Sequence, residues 1–571
     1  MSRINFYKYL LSVLVFTSST AYSQETSYPE VKNNPNLLKE NIVEQKNKEA
    51  LPSETLDYST KVIKDFNMHL KTVNIKGNSA IMTKDLQKFY VNYLDKKIGY
   101  TELVSILDSI SKEYRNRGYF LSYVLPEQNF ISDNTVNIRI IEGSIKVHIL
   151  DDFKENKLLK KYVANIEDCK PITQAVYERN IELMKKIPGL EYTSKAQINQ
   201  QSIKERSNQI LDLYILSDKN DVEGLVFIDN TNKNKNQPSF SLWNINSLNN
   251  LFDKNEVIKI SFETSGSFSK RSDVQVALNI PINDNGADFA ATVGKKHVSN
   301  SQQIAIISTA LNSQPVIFQD GVDTDKQYLD LKLSNSPILS FTKRLITSIG
   351  YSLDKLTNKK IVNKQDISKY TTPKLYLEAN YYFRDRFKGD NYFNTKIAYS
   401  SKSLGGKNYV GQDKFKDFKI VSFNFARRDS FKNDIVSIFQ TDTQLTNDSL
   451  LGSEKFAYGG WNYGKAYNAP IIVGDQGINA SLKLLKLFYK QNSKQIYLLT
   501  PYIYADLGVV KNKNDTKKYS ASSFGAGLEV FMHNGMKFNY SLNKPITFKN
   551  VSDIKKSKIN HVMTLIMEYK F

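Results

Sequence analysis

The chain has 571 residues, more than one ordinary domain, so several are expected. Lys and Arg outnumber Asp and Glu by 78 to 58, but the excess is spread along the chain and no block reads as a nucleic-acid arm. The single cysteine, Cys169, excludes an internal disulfide, and the five histidines form no cluster that suggests zinc.

The first stretch, MSRINFYKYLLSVLVFTSSTAYSQE, sets the compartment. Arg3 and Lys8 make a positive start, Tyr9 to Phe16 a short apolar core, and Ala21-Tyr22-Ser23 a small-residue cleavage site. Residues 1–23 read as a secretory signal peptide, with a short amphipathic anchor as the alternative. No later run of about 18 apolar residues predicts a membrane helix, so the mature protein is either soluble or a β-barrel. Residues 24–66 are polar; 35–49 could form one amphipathic helix, with Leu37, Leu38, Ile42 and Val43 on a face, or stay a linker.

Residues 67–219 predict two compact α/β modules in tandem, 67–144 and 145–219. In the first, 69–77 reads as a strand and 83–94 as a helix. A better helix covers 101–118, with Thr101 as N-cap, a stripe of Leu103, Ile106, Leu107, Ile110 and Tyr114, and Gly118 as its stop. Two strands follow, YFLSYVLP and TVNIRIIEG. The second module repeats the order: IKVHIL, two helical stretches, then LEYTSKAQIN and NQILDLYIL.

The passage YRNRGYFLSYVLPEQNF, followed by VNIRIIEGSI, carries Tyr114, Arg117-Gly118-Tyr119, Pro126-Glu127-Gln128 and Glu142-Gly143. In this it resembles the first POTRA domain of two-partner secretion transporters, the outer-membrane TpsB proteins that export haemolysins and filamentous adhesins. KKIPGLEYTSKAQI (185–198) resembles the Pro-Gly of the second POTRA domain. The same residues also fit a purely structural role, since Gly118 caps a helix and Pro126 ends a strand, as in any α/β domain.

From about residue 222 the apolar period becomes two. In KLYLEANYYF, Leu375, Leu377, Ala379, Tyr381 and Phe383 share one face, and in the last stretch Met563, Leu565, Met567, Tyr569 and Phe571 do. Many such segments in series, after a signal peptide and with 34 Tyr and 31 Phe for interfacial girdles, predict an antiparallel transmembrane barrel over 220–571. Seventeen candidates begin near residues 223, 239, 256, 271, 286, 303, 326, 342, 373, 391, 415, 432, 477, 494, 519, 535 and 559. Bacterial barrels have even numbers of strands, and the segment near 303, flanked by long polar runs, is the one to drop. That leaves 16, the number the resemblance implies. Phe571 resembles the aromatic terminal residue of proteins that the outer-membrane assembly machinery inserts.

YGGWNYGKAYNAPIIVGDQG (458–477) is too rich in Gly and Pro for a helix. The resemblance makes it the long sixth extracellular loop, over 452–476, folded back into the barrel. Its family motif falls on Gly464, Lys465, Ala466 and Tyr467, and the returning Gly-Asp-x-Gly on Gly474, Asp475 and Gly477. The resemblance supplies the partner too, Asp506 in YADLG with Gly508. Alternation puts Tyr502, Tyr504, Asp506 and Gly508 on one face, and a carboxylate cannot face lipid, so that face points inward and wants a cation. Lys465 is the expected one. Lys in place of the family's Arg loses the planar fork, which predicts a weaker lock. The alternative leaves Lys465 solvated and Asp506 paired elsewhere.

No elbow, zincin or P-loop pattern occurs, so no enzyme, cofactor or metal is expected. The resemblance implies a pore in the outer membrane of a Gram-negative bacterium, with the POTRA domains in the periplasm. It would capture a large unfolded secreted partner, haemolysin- or adhesin-like and β-helical, and pass it to the surface without ATP. Outer-membrane lipids, lipopolysaccharide and the barrel-assembly machinery are the other expected partners, and no nucleic acid is. Two further readings stay open: a barrel-assembly factor of the same superfamily, or a passive porin.

Overall fold

The computed structural model describes residues 67–571, except 151–154, 200, 202–204, 206, 231–239, 266–270, 301–321, 362, 411–414, 461, 468–469, 491–492, 550–558 and 571. The signal peptide, the candidate helix at 35–49, the strand candidate near 303 and Phe571 therefore lie outside the described residues. Contacts divide the chain into two units that meet in sequence at Lys219 and Asn220.

The first unit in chain order holds both α/β modules. Module one runs β1 (Asn67–Leu70), β2 (Thr72–Lys76), α1 (Thr83–Leu86), β3 (Lys96–Gly99), α2 (Tyr100–Asn116), β4 (Tyr123–Ser132) and β5 (Thr135–Ile141). β5 lies parallel to β2 and antiparallel to β4. The apolar stripe of α2, Leu103 to Tyr114, is buried in one core with Val124, Val136, Ile138 and Ile140.

Three local expectations differ. The strand expected at 69–77 breaks at Lys71, because β1 pairs with β3 whereas β2 pairs with β5. The helix expected at 83–94 is one turn, α1, followed by 3-10 turns at Gln87–Phe89 and Val91–Tyr93. Phe89, Tyr90, Val91 and Tyr93 are weak helix formers, and Met82 provides no side-chain cap. Thr101 does not cap α2: Gly99 holds that place, and its N–H donates to the Glu102 carboxylate at 2.8 Å. Gly118, at φ +89°, ends the passage beyond the helix as expected.

Module two runs β6 (Ser144–Ile149), α3 (Lys157–Asp168), α4 (Gln174–Met184), β7 (Leu190–Ile198) and β8 (Gln209–Lys219). β8 lies between β6, parallel to it, and β7, antiparallel. Asn156 caps α3 and Thr173 caps α4 through side-chain oxygens.

The second unit is a closed antiparallel barrel. Its strands are β9 (Val222–Asp229), β10 (Ser241–Asn249), β11 (Val257–Ser265), β12 (Arg271–Pro281), β13 (Asp288–Asn300), β14 (Val322–Leu339), β15 (Lys343–Lys360), β16 (Asp366–Arg384), β17 (Asp390–Ser400), the short β18 (Lys407–Val410), β19 (Phe418–Ser430) and β20 (Ile435–Leu445). After β21 (Phe456–Tyr458) and β22 (Ile472–Gly474), a small hairpin inside one loop, come β23 (Gln476–Lys486), the short β24 (Phe488–Tyr489), β25 (Ile496–Lys511), β26 (Lys518–Met532), β27 (Met536–Lys549) and β28 (Asn560–Lys570). Setting the four short segments aside leaves sixteen wall strands, each near a predicted start. β28 closes on β9 with Thr564 opposite Asp229 and Lys570 opposite Glu223.

Period two explains the wall. Val293, Ile349, Leu377, Ile397, Ile503 and Leu507 are exposed on the outer face, a ring of apolar surface that water would not tolerate and lipid would. Outer aromatic rings continue from Phe383 to Phe393, Phe425 and Phe439 across four neighbouring strands, as in an interfacial girdle. Inside are buried polar residues such as Asn380, Asn394, Thr500, Asp506 and Glu529.

Four lumen tyrosines brace this wall by one device. Each lies across a glycine on the adjacent strand, where a Cβ would come within 2.5 Å of its ring, and bonds the strand beyond. Tyr328 crosses Gly294 to Gln275 (2.9 Å), Tyr376 crosses Gly350 to Asp330 (2.9 Å), Tyr502 crosses Gly527 to Asn539 (2.8 Å) and Tyr504 crosses Gly525 to Asn543 (2.6 Å). Each hydroxyl thus ties together three strands.

Candidate functional site

β20 ends at Leu445 and β23 begins at Gln476; the intervening loop leaves from the rim opposite the one where the barrel starts at Val222. Antiparallel pairing of β21 with β22, Phe456 opposite Gly474 and Tyr458 opposite Ile472, makes the hairpin that starts its descent and return. Beyond the hairpin, Gly459, Gly460 and Gly464 take φ values of +124°, +105° and +74°, which L side chains rarely adopt. Those angles fold the tip on itself: Gly460 N–H donates to the Tyr467 carbonyl at 3.1 Å, and Tyr467 N–H to the Gly464 carbonyl at 2.8 Å. Tyr458, Tyr463, Ala466, Tyr467 and Ile472 then form one apolar cluster with the wall residues Val510, Tyr519 and Ala521.

Asp506 on β25 faces inward and is buried with Tyr502 and Tyr504. Its Oδ1 accepts the Tyr458 hydroxyl at 2.7 Å and the Ser523 hydroxyl, and its Oδ2 accepts the Gly464 N–H at 2.9 Å. All three donors are neutral. Charge-assisted bonds of this kind satisfy a buried carboxylate without a counter-cation.

The expected Lys465–Asp506 ion pair is not made. Lys465 Nζ lies 5.1 Å from the centre of the Tyr504 ring, a cation–π contact, while its carbonyl accepts from Asn560 on β28 at 2.8 Å. The turn at Gly464 presents a backbone N–H to the carboxylate, and Tyr458 and Ser523 occupy the rest of it. The Gly464, Lys465, Tyr467, Asp506 and Gly508 set is therefore brought together, with backbone in place of the cation. Tyr467 donates to the Ser522 carbonyl at 3.1 Å. Gly508 lies under the Tyr458 ring, whose Cγ would be 2.3 Å from an added Cβ, so the loop uses on the wall the same tyrosine-over-glycine device.

The return motif ties the loop's feet. Asp475 accepts Leu450 N–H and Lys513 N–H, each at 2.9 Å, and Lys455 Nζ lies 3.4 Å away. Gly474 and Gly477 have no room for a Cβ, against Lys511 backbone and the Phe456 ring respectively.

Sequence reasoning missed Tyr458, although it is fully buried at the centre of the site. It also missed the pair Glu454–Lys374 at 3.0 Å. The detectable signal was Gly508: a glycine two places beyond an inward carboxylate leaves a gap, and the loop's tyrosines are what could fill it.

The module-one motif makes a second cluster. Glu142, itself buried, accepts Ser79 N–H, Ala80 N–H and the Tyr114 hydroxyl, each at 2.8 Å, together with the Ser79 hydroxyl. Burial pushes the Tyr114 phenol well up, and the Glu142 hydrogen bond adds to it, so Tyr114 stays a donor. Gly118 and Gly143 turn their carbonyls to module two, accepting Gln174 N–H at 2.8 Å and Ile172 N–H at 2.9 Å. A Cβ on Gly143 would lie 2.4 Å from the Leu121 carbonyl. Arg117 is exposed and pairs with Glu113 at 3.0 Å, Tyr119 packs near Tyr114, and Pro126 ends the regular pairing of β4 with β5. The Gln128 side chain lies outside the described residues.

Residues 68–143 match the POTRA domain, ShlB-type, and residues 217–530 match the haemolysin secretion/activation protein ShlB/FhaC/HecB. No curated protein matches the sequence. Among solved structures the chain is similar to CdiB from Escherichia coli, at 13% identity and a TM-score of 0.69 over 96% of this chain and 100% of that one. It is also similar to CdiB from Acinetobacter baumannii, at 14% and 0.59 over 95% and 100%. At such identity the likeness shows the fold: a barrel of the same kind preceded by periplasmic modules. The family match, the closed sixteen-strand barrel and the buried loop agree, and the chain belongs to the ShlB/FhaC/HecB family of haemolysin secretion/activation proteins, the two-partner secretion transporters of the outer membrane.

Proposed function

We propose that this secretion pore captures one large, unfolded, β-helical partner in the periplasm and releases it at the surface as the loop at 446–475 moves aside. The observation that carries the reading is Asp506 holding the loop tip in the lumen through Gly464 N–H and Tyr458. A loop tip held to Asp506 through uncharged donors is well fixed, and its departure separates no ion pair at that carboxylate.

Residues 24–66 would supply a helix at 35–49 that plugs the resting pore and a linker, followed by POTRA domains at 67–144 and 145–219 and the barrel from 220. Capture would use the exposed edges of the module sheets, through main-chain bonds that tolerate any sequence. Folding outside, on the order of 5–15 kcal/mol for an ordinary domain, would make exit irreversible with neither ATP nor catalysis. Interfacial aromatics would meet lipid and lipopolysaccharide, and Phe571 would mark the chain for the assembly machinery.

The test is appearance of the partner at the cell surface. Asp506→Ala should cut export at least about tenfold while the barrel still inserts. Export at the parental level would sink the gate. A large, steady conductance from the intact protein in planar bilayers would point to a passive porin instead.

A further inference from the structure

The descending limb of the loop carries a charge that the tip contacts leave unexplained. The Glu454 carboxylate receives Lys374 Nζ of β16 at 3.0 and 3.1 Å. Lys374 also donates to Asp354 of β15 at 2.9 Å, and Asp354 meets Lys326 of β14 at 3.1 Å. The four groups alternate in sign across three adjacent wall strands and the loop. Their side chains are only 9 to 18% exposed, so water and salt screen them little. Glu454 is the loop's contribution to this row, and Lys374 is the wall group that receives it.

The next residue reaches the other way. Lys455 Nζ donates to Asn512, in the turn after β25, at 2.8 Å. The loop departs from β20, with β16 to one side of it and β25 to the other. Consecutive residues of opposite charge thus brace the limb to wall elements on both flanks.

We infer that Glu454 and Lys374 form an electrostatic latch on the loop, separate from Asp506, that holds the descending limb inside the lumen. The inference rests on the loop being the gate. When Glu454 leaves, Lys374 gives up one of its two carboxylate partners in a site that water screens little, which opposes release until another carboxylate takes the place. The tip gives Asp506 uncharged donors, whereas the limb contact joins two ions, so charge substitutions on the loop separate the two.

The experiment uses the full-length protein in intact cells, with Ser453→Cys as a reporter labelled from outside by a membrane-impermeant maleimide. Cys169, in the periplasmic modules, stays out of reach. Glu454→Gln and Lys374→Gln should each speed labelling at least about tenfold. Glu454→Lys should exceed Glu454→Gln, and Lys374→Arg should keep the parental rate. Parental labelling of Glu454→Gln, in protein with normal heat-dependent gel mobility, overturns the latch. Glu454 belongs to the loop, so closure of the wall does not depend on it and that variant decides alone. The readout is loop position, so the latch can fail while the transport reading stands, and the export assay tests that reading separately.

Discussion

Glu142 in the periplasmic module and Asp506 in the barrel are held by the same chemistry. Each is a buried carboxylate that accepts a tyrosine hydroxyl, a serine hydroxyl and at least one backbone N–H. Their surroundings differ. The Glu142 cluster is embedded in a continuous core of Leu, Ile and Val, with α2 packed over it. The Asp506 cluster is backed by a smaller group, four tyrosines with Ile472, Val510 and two alanines, where the loop meets the wall. One arrangement therefore makes a joint in the first case and a catch in the second: a carboxylate specifies which segments meet, and the apolar surface buried beside it decides how hard they are to part.

Substitutions can break or sharpen this contrast. The largest stability effect should come from Glu142→Ala, which strands the Ser79 and Ala80 N–H groups and the Tyr114 hydroxyl. A loss of roughly 2–4 kcal/mol is expected, read as faster proteolysis of the periplasmic arm in the full-length protein. Asp506→Ala should leave wall stability nearly unchanged and free the loop, seen as protease cleavage within 458–471; unchanged resistance there would erase the distinction.

Gly508→Ala comes next. Its Cβ would fall 2.3 Å from Tyr458 Cγ, so the ring must leave the wall, and partial loop release should follow with Asp506 intact. Tyr458→Phe and Tyr114→Phe each delete one bond to a carboxylate, about 1–2 kcal/mol. The first should loosen the loop and the second only the arm, as the same two proteolysis readouts would show.

The smallest effect belongs to Lys465. Lys465→Ala removes a cation–π contact of roughly 0.5–1 kcal/mol and no bond to Asp506, so export should fall far less than in Asp506→Ala. Equal losses in the two variants would restore the ion pair as the lock.

Much of this was legible in advance. The α2 stripe, the places of the wall strands and the inward face of Asp506 follow from apolar period, because lipid or core must lie on one side of each element; period alone offers seventeen strands, and even parity with the family resemblance makes them sixteen. The helix expected at 83–94 failed because its aromatic and β-branched end prefers 3-10 turns, and Thr101 lost the cap to Gly99, whose N–H the Glu102 carboxylate accepts. The family resemblance located the loop and its wall strand, but a motif names side chains, and at Asp506 a backbone N–H completes the contact.

The sequence by itself determined the periods, the alternation of faces and the order of domains, since these depend on near neighbours along the chain. Tertiary structure alone decided which donor each buried carboxylate receives. Glu454 meets Lys374 across 80 positions and Gly464 meets Asp506 across 42. Such pairings depend on the positive φ of a glycine turn and on the curvature of a closed wall, and the residue spacing within any one strand carries neither.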